Sequence, residues 1–192
     1  MGRGHGGSRG SGPGGGGLAR NLSNREREIK DSLNERMSIF DEKGNEVYRN
    51  ENGDAHSVSF KGAEHLLKDN IYTHNHPSFP GEPSIPSFSE GDVVAAVVYN
   101  SKEMRAVAGN VTFSLKRPAT GWGLVGKDKQ GAIGVAFRDA KERVTRRLKY
   151  YVFNYKGDKQ AALNRADRIM SHMVNKEAAR ILGWDYSHSR TK

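Results

Sequence analysis

The chain contains no cysteine. Disulfides and thiolate metal sites are therefore excluded, while a reducing compartment is allowed. No apolar run approaches the length of a membrane span, and the N-terminus has no apolar signal-peptide core. A soluble, cytoplasmic protein with no membrane partner is the expectation. Acidic residues are in short supply: 22 Asp and Glu stand against 31 Lys and Arg, for a formal net charge of +9. This surplus favours a polyanion or an acidic surface as partner, and it speaks to partners rather than to fold. A length of 192 residues suits one domain of ordinary size with tails.

Residues 1–17 are mostly glycine. Such a segment has little apolar surface to offset its ordering entropy, so it reads as a flexible tail or linker. It suits a tether to a larger protein, or a remnant of cloning. Leu18 to Asn34 reads as a helix, with Ser23 as N-cap and Glu26 completing a capping box. The alternating charges of Arg25, Glu26, Arg27, Glu28 and Lys30 suggest a solvated face. Short strands follow at Met37–Phe40 and Asn45–Arg49, joined by turn chemistry at Asp41–Gly44, and a third extended piece is expected over His56–Phe60. Ala63–Lys68 reads as a helical turn or two. Further on, Arg105–Ala108 and Val111–Leu115 flank Gly109-Asn110 as a hairpin, with Val111, Phe113 and Leu115 forming one buried face.

Between these lies the stretch that carries chemistry. Ile71-Tyr72-Thr73 reads as a strand running into His74-Asn75-His76-Pro77. In extended backbone, residues i and i+2 point the same way, so both imidazoles can face one ion. Pro77 then stops the strand. A proline-rich loop over residues 78–88 is placed to gate or line a groove. Ser89-Glu90-Gly91-Asp92 opens a helix running to about Tyr99. Two imidazoles and one carboxylate suit zinc, and three protein ligands leave a fourth position open. Helix capping and dipole chemistry explain Ser89 and Asp92 equally well, so both readings stand at this point. The remaining histidines, His5, His56, His65, His172 and His188, match no metal spacing, and His5 and His188 are placed in flexible tails.

Residues 119–131 read as a loop, and the remainder reads as helical. Ala140, Val144, Leu148 and Tyr151 form one stripe, and Gly183 is a natural C-cap for a helix over Ala161–Leu182. Arg138 to Lys192 holds 14 basic and 6 acidic residues, nearly the whole net charge. Arg143, Arg146, Arg147 and Lys149 are candidate nucleic-acid contacts. A merely solvated basic face, or a patch for an acidic protein partner, is the competing reading.

Taken together, Glu35 ahead of the first hairpin, His74-Asn75-His76-Pro77 and Ser89-Glu90-Gly91-Asp92 resemble the JAB/MPN superfamily of zinc metalloproteases. The hairpin before the histidines is similar to that of the RadC-type branch. The one ending Ser114-Leu115-Lys116-Arg117-Pro118 resembles JAB-like domains of phage head and tail proteins. The resemblance covers roughly residues 33–118. It implies an α/β fold with a mixed sheet flanked by helices, cytidine-deaminase-like; with the C-terminal helices outside the resemblance, the chain divides into a catalytic domain over 18–118 and a basic helical extension over 119–192. It implies that His74, His76 and Asp92 bind Zn2+, that Glu35 is the general acid/base and that Ser89 stabilises an oxyanion. Glu46 and Glu64 are the alternatives to Glu35. The loop between Pro77 and Ser89 is longer than the family's usual spacing, an insertion that costs little in closure entropy. The implied activity is hydrolysis of a peptide or isopeptide bond in a protein or peptide substrate. A RadC-like nucleic-acid-associated protein, or a non-catalytic phage structural module tethered to a larger particle, is the alternative.

Overall fold

The structure, a computed structural model, describes residues 15–77, 86–124 and 128–191. Six strands form one mixed sheet in the order β2-β1-β3-β4-β5-β6. The elements run α1 (Gly15–Ile29), β1 (Met37–Phe40), β2 (Glu46–Asn50), a 3-10 turn (Glu64–Leu67), β3 (Ile71–Asn75), α2 (Glu90–Val98), β4 (Glu103–Ala108), β5 (Val111–Lys116), α3 (Lys129–Asn154), α4 (Lys159–Leu182) and β6 (Asp185–Arg190). This is the α/β class expected, with a helical C-terminal region. The pair β3–β4 is parallel and is connected through α2; the other pairs are antiparallel. The C-terminal end of β3 therefore meets the N-terminus of α2, where open α/β sheets bind ligands.

One sheet face builds the main core. Ile39, Tyr72, Met104, Leu115 and Tyr186 stand opposite one another across five strands, and Met37, His74, Ala106, Phe113 and His188 form the next row. Val93, Ala96 and Val97 of α2 and Ile133 of α3 pack into the same cluster. So do Ala179 and Trp184 from the chain's last quarter. Residues on both sides of position 118 thus share one core. Trp122 meets Trp184 edge to face at 4.8 Å, and Trp184 Nε1 donates to the Trp122 carbonyl at 2.9 Å. The far halves of α3 and α4 pair through a smaller cluster of Val144, Leu148 and Ala166.

The opposite sheet face lies under α1 and is mixed, with Phe40 and Ile71 packed on Leu22 beside the polar Ser38 and Thr73. Leu18, Leu22, Arg25, Glu26 and Ile29 fall at three- and four-residue spacing, hence on one stripe of the helix. Arg25 and Glu26 are buried, so the solvated face expected there is corrected: these two charges lie among Leu22 and Ile29 on the inner side. Glu26 takes a bidentate pair from Arg105 of β4, with Nε–Oε1 2.5 Å and Nη2–Oε2 3.1 Å. Arg25 donates to Ser38 of β1 at 2.8 Å and to Glu51 at 2.5 Å. The alternation of β5 was expected to bury one face, but Thr112 and Ser114 on its other face are buried too.

Several local expectations are corrected. Of the glycine-rich segment, residues 1–14 lie outside the described residues, while Gly15–Gly17 belong to α1. Ser23 sits inside that helix rather than at its cap, and the helix stops at Ile29. Residues 56–60 join no strand. The helix after Trp122 begins at Lys129, within the loop expected over 119–131, because the Asp128 side chain accepts from Gly131 N and caps it. Residues 185–190 form an edge strand against β5, so the tail expected to be helical ends in a strand that holds His188. Among the described residues, no helix is long and apolar enough to cross a membrane.

Removing one member of a buried ion pair leaves the other uncompensated, at a cost of about 3–5 kcal/mol. In Glu26→Ala, Arg105 keeps Glu103 at 2.8 Å, so unfolding free energy is expected to fall by less than that, about 1–3 kcal/mol, in urea titrations, with Glu26→Gln milder. An unchanged midpoint in Glu26→Ala would show that the ion-pair layer contributes nothing to holding α1 on the sheet.

Candidate metal centre

His74 is the fourth residue of β3 and His76 follows its last. The pleat turns both rings to the core side, as the i, i+2 spacing requires. His74 Nε2 and His76 Nε2 lie 2.9 Å apart. Asp92 comes from the first turn of α2, and its two carboxylate oxygens lie 3.6 Å from His74 Nε2 and 3.5 Å from His76 Nε2. Both histidines are buried. These three side chains form a group that can hold a metal ion.

Asn75, between the two histidines, points the other way and does different work. It is fully buried. Its Oδ1 accepts from Arg36 N at 2.7 Å, and its Nδ2 donates to the carbonyls of Asn34 at 3.2 Å and Ser32 at 3.3 Å. The amide thus brackets Glu35 from one side. From the other side, Glu35 N donates to the Asp54 carbonyl at 2.6 Å. A Cβ at Gly53 would lie only 2.2 Å from the Glu35 carbonyl oxygen, so that loop can press close only with glycine there. Asp54 folds the loop by accepting from His56 N and Ser57 N at 2.7 and 2.8 Å.

Glu35 held in this way lines a cleft of about 280 Å3 together with His74, His76, Ser89 and Asp92. Neither Glu46 nor Glu64 lines it. Burial raises the Glu35 pKa; the two histidines oppose this, and Asp92 and Asp54 reinforce it. Burial acts to lower the His76 pKa, but the hydrogen bond and charge of Asp92 outweigh it and the net shift is upward. Burial likewise disfavours the Asp92 carboxylate, and the charge and hydrogen bonds of the two histidines overcome that to hold it well below the usual range.

The capping reading of Ser89 and Asp92 is realised, and Asp92 also belongs to the group that can hold a metal. Ser89 is the N-cap of α2: its Oγ accepts from Asp92 N at 3.1 Å, and Asp92 Oδ2 accepts from Ser89 N at 2.7 Å. Capping uses a lone pair of the Ser89 hydroxyl and leaves its proton free to donate. The capping box also orients the Asp92 carboxylate that reaches the histidines. Tyr72, buried in β3, donates to the Asp92 carbonyl at 3.0 Å and fastens this turn to the sheet.

The segment entering that turn is held by the C-terminal elements, which sequence reasoning left outside the site. Asn175 Nδ2 of α4 donates to the Phe88 carbonyl at 2.9 Å. Ser87 N donates to Ser171 Oγ at 2.9 Å, and Ser87 Oγ bonds Tyr186 OH of β6 at 2.8 Å. Pro86 O faces His76 Nδ1 at 3.4 Å. Among the described residues, the buried His74 Nδ1 has no hydrogen-bond partner, and the ring stacks on Tyr72 at 6.0 Å. The gating expected of the 78–88 loop falls largely on residues 78–85, which lie outside the described residues.

His56, set aside on spacing, lines the cleft, although it lies outside the group that can hold a metal. Its loop position gives no periodic signal. His172 and His188, expected to be isolated and in a tail respectively, meet edge to face with ring centroids 4.3 Å apart, and His172 Nδ1 bonds Tyr186 OH at 2.9 Å. The candidate nucleic-acid residues divide. Arg143 and Arg147 face α4, at 3.5 and 3.3 Å from Glu177. Arg146 and Lys149 line an open groove on α3.

No family model matches the chain, and no curated protein or solved structure matches it.

The hydrogen bonds behind metal ligands typically contribute 10–100-fold in affinity. Asn175→Ala, which frees the Phe88 carbonyl beside the Asp92 turn, acts one step further from the ligands and is expected to weaken metal binding by less, up to about tenfold, in competition titrations. Equal affinity in the variant would show that the turn is held without the Asn175 hydrogen bond.

Proposed function

We propose that the chain is a zinc-dependent hydrolase of the JAB/MPN type, cleaving a peptide or isopeptide bond. One observation carries this reading: a single cleft brings Glu35, His74, His76, Ser89 and Asp92 together from three separate segments. The donor set supports zinc. A tetrahedron with arms of about 2.0–2.1 Å has edges of about 3.3–3.4 Å. Here the two Nε2 atoms lie 2.9 Å apart, each faces a different Asp92 oxygen at 3.6 and 3.5 Å, and one ligand atom from each residue lies within 4.8 Å of the others. Two imidazoles and one carboxylate are a common zinc donor set in hydrolytic sites.

When bound, zinc would supply Lewis acidity that makes water a nucleophile at neutral pH and polarises the scissile carbonyl. His74, His76 and Asp92 would hold the ion, with the capping box fixing the carboxylate. Glu35 would accept the proton of the attacking water and return it to the leaving amine nitrogen. The Ser89 hydroxyl proton would donate to the carbonyl oxygen as negative charge builds there.

Glu35→Gln is expected to keep the metal and to lose about 10²–10⁴-fold in turnover, the usual worth of a general acid/base. The check is metal content measured beside hydrolysis of a peptide and isopeptide panel. Undiminished hydrolysis in a zinc-loaded Glu35→Gln variant would remove Glu35 from the scheme.

A further inference from the structure

The helix α3 has two faces of opposite character. Ala136, Ala140, Val144 and Leu148 recur every fourth residue and are buried. On the outer side, Arg138, Lys141, Arg146 and Lys149 frame an open groove of about 510 Å3. Among the described residues, Lys141, Arg146 and Lys149 make no salt bridge, and Arg138 reaches only its neighbour Asp139, at 3.7 Å. Glu142 is the one carboxylate lining that groove. These cations therefore differ from Arg143 and Arg147, which Glu177 already engages.

The basic stripe runs out onto bare aromatic rings. Tyr150 is 72% exposed and Phe153 79%. Rings left in water contribute nothing to the core, yet they follow the cations directly on the same helix. Lys159 Nζ lies 5.9 Å from the Phe153 ring centroid, so the platform is itself flanked by a cation. Arg138 to Phe153 spans about 22 Å at 1.5 Å per residue.

We infer that this face of α3 is a binding surface for single-stranded nucleic acid, with the Arg and Lys side chains on phosphates and Tyr150 and Phe153 stacking unpaired bases. Cations in a row track a phosphate backbone, and exposed aromatic rings stack on any base that is free of a partner. A duplex offers the phosphates but keeps its bases paired. An acidic polypeptide would satisfy the cations and leave the rings bare. The stripe begins beside the metal-centre corner: Gly134, one turn before Arg138, packs so closely on α2 that a Cβ there would lie 3.2 Å from Glu90 Oε1. The surface stands independently of the hydrolase reading, since none of its residues belongs to the cleft.

The test is fluorescence anisotropy of a labelled oligothymidylate with the full chain in EDTA, so that no metal-dependent turnover enters the signal. Binding is expected, with log affinity falling against log salt by about 0.7 per phosphate contacted. The combined Lys141→Glu, Arg146→Glu and Lys149→Glu variant is expected to weaken it at least tenfold and to flatten that slope. The Tyr150→Ala, Phe153→Ala variant is expected to weaken it about tenfold or more with the slope and melting temperature unchanged. These positions are exposed, and the aromatic pair carries the test if the charge reversals unfold the chain. Absent binding, equal affinity for a duplex with the aromatic variant silent, or equally effective competition by polyglutamate would each overturn the proposal. The last result would assign the face to an acidic protein partner instead.

Discussion

The alternation of β3 governs the rest of the site. A pleated strand can show two imidazoles to one point only if the residue between them points to the other face. Asn75 uses that opposite direction to grip the chain on both sides of Glu35. A shift of register by one residue would turn the histidines to the face under α1 and the asparagine to the core side, so the ligand pair and the Glu35 anchor stand or fall together. Burial on both faces of β3 sets that register firmly: every residue of the strand is buried.

The second half of the site depends on a corner rather than a strand. Ser89 and Asp92 satisfy the first N–H groups of α2 and in doing so hold the carboxylate toward the histidines. Tyr72 ties the corner to the sheet, while Asn175, Ser171 and Tyr186 tie the preceding residues to α4 and β6. The helical region after residue 118 thereby takes part in shaping the cleft. Its far end, beyond the smaller core between α3 and α4, is free to present cations and aromatics outward.

What was legible in the sequence was local. His74, His76, Ser89 and Asp92 declare themselves through two short spacings, and both hairpins through their turn residues. What was hidden depends on partners distant in the chain. Arg25 and Glu26 look like surface charges until Ser38 and Arg105 are brought to them by the fold. The polar strand β6 has no apolar alternation to announce it and forms because β5 offers a free edge. Asn175 lies 87 positions from the carbonyl it holds, and His56 lies on a loop whose course is set by Asp54 and Gly53. The four basic residues grouped from sequence were split by helix geometry, two toward Glu177 and two toward solvent.

The measurement that bears most directly on the site is elemental analysis of the purified protein, wild type beside His76→Ala. About one zinc per chain in the wild type, lost in the variant while its fold is retained, is the predicted result. A folded wild-type protein that binds no metal after zinc is resupplied, or equal zinc in both proteins, would contradict a His74, His76 and Asp92 metal centre.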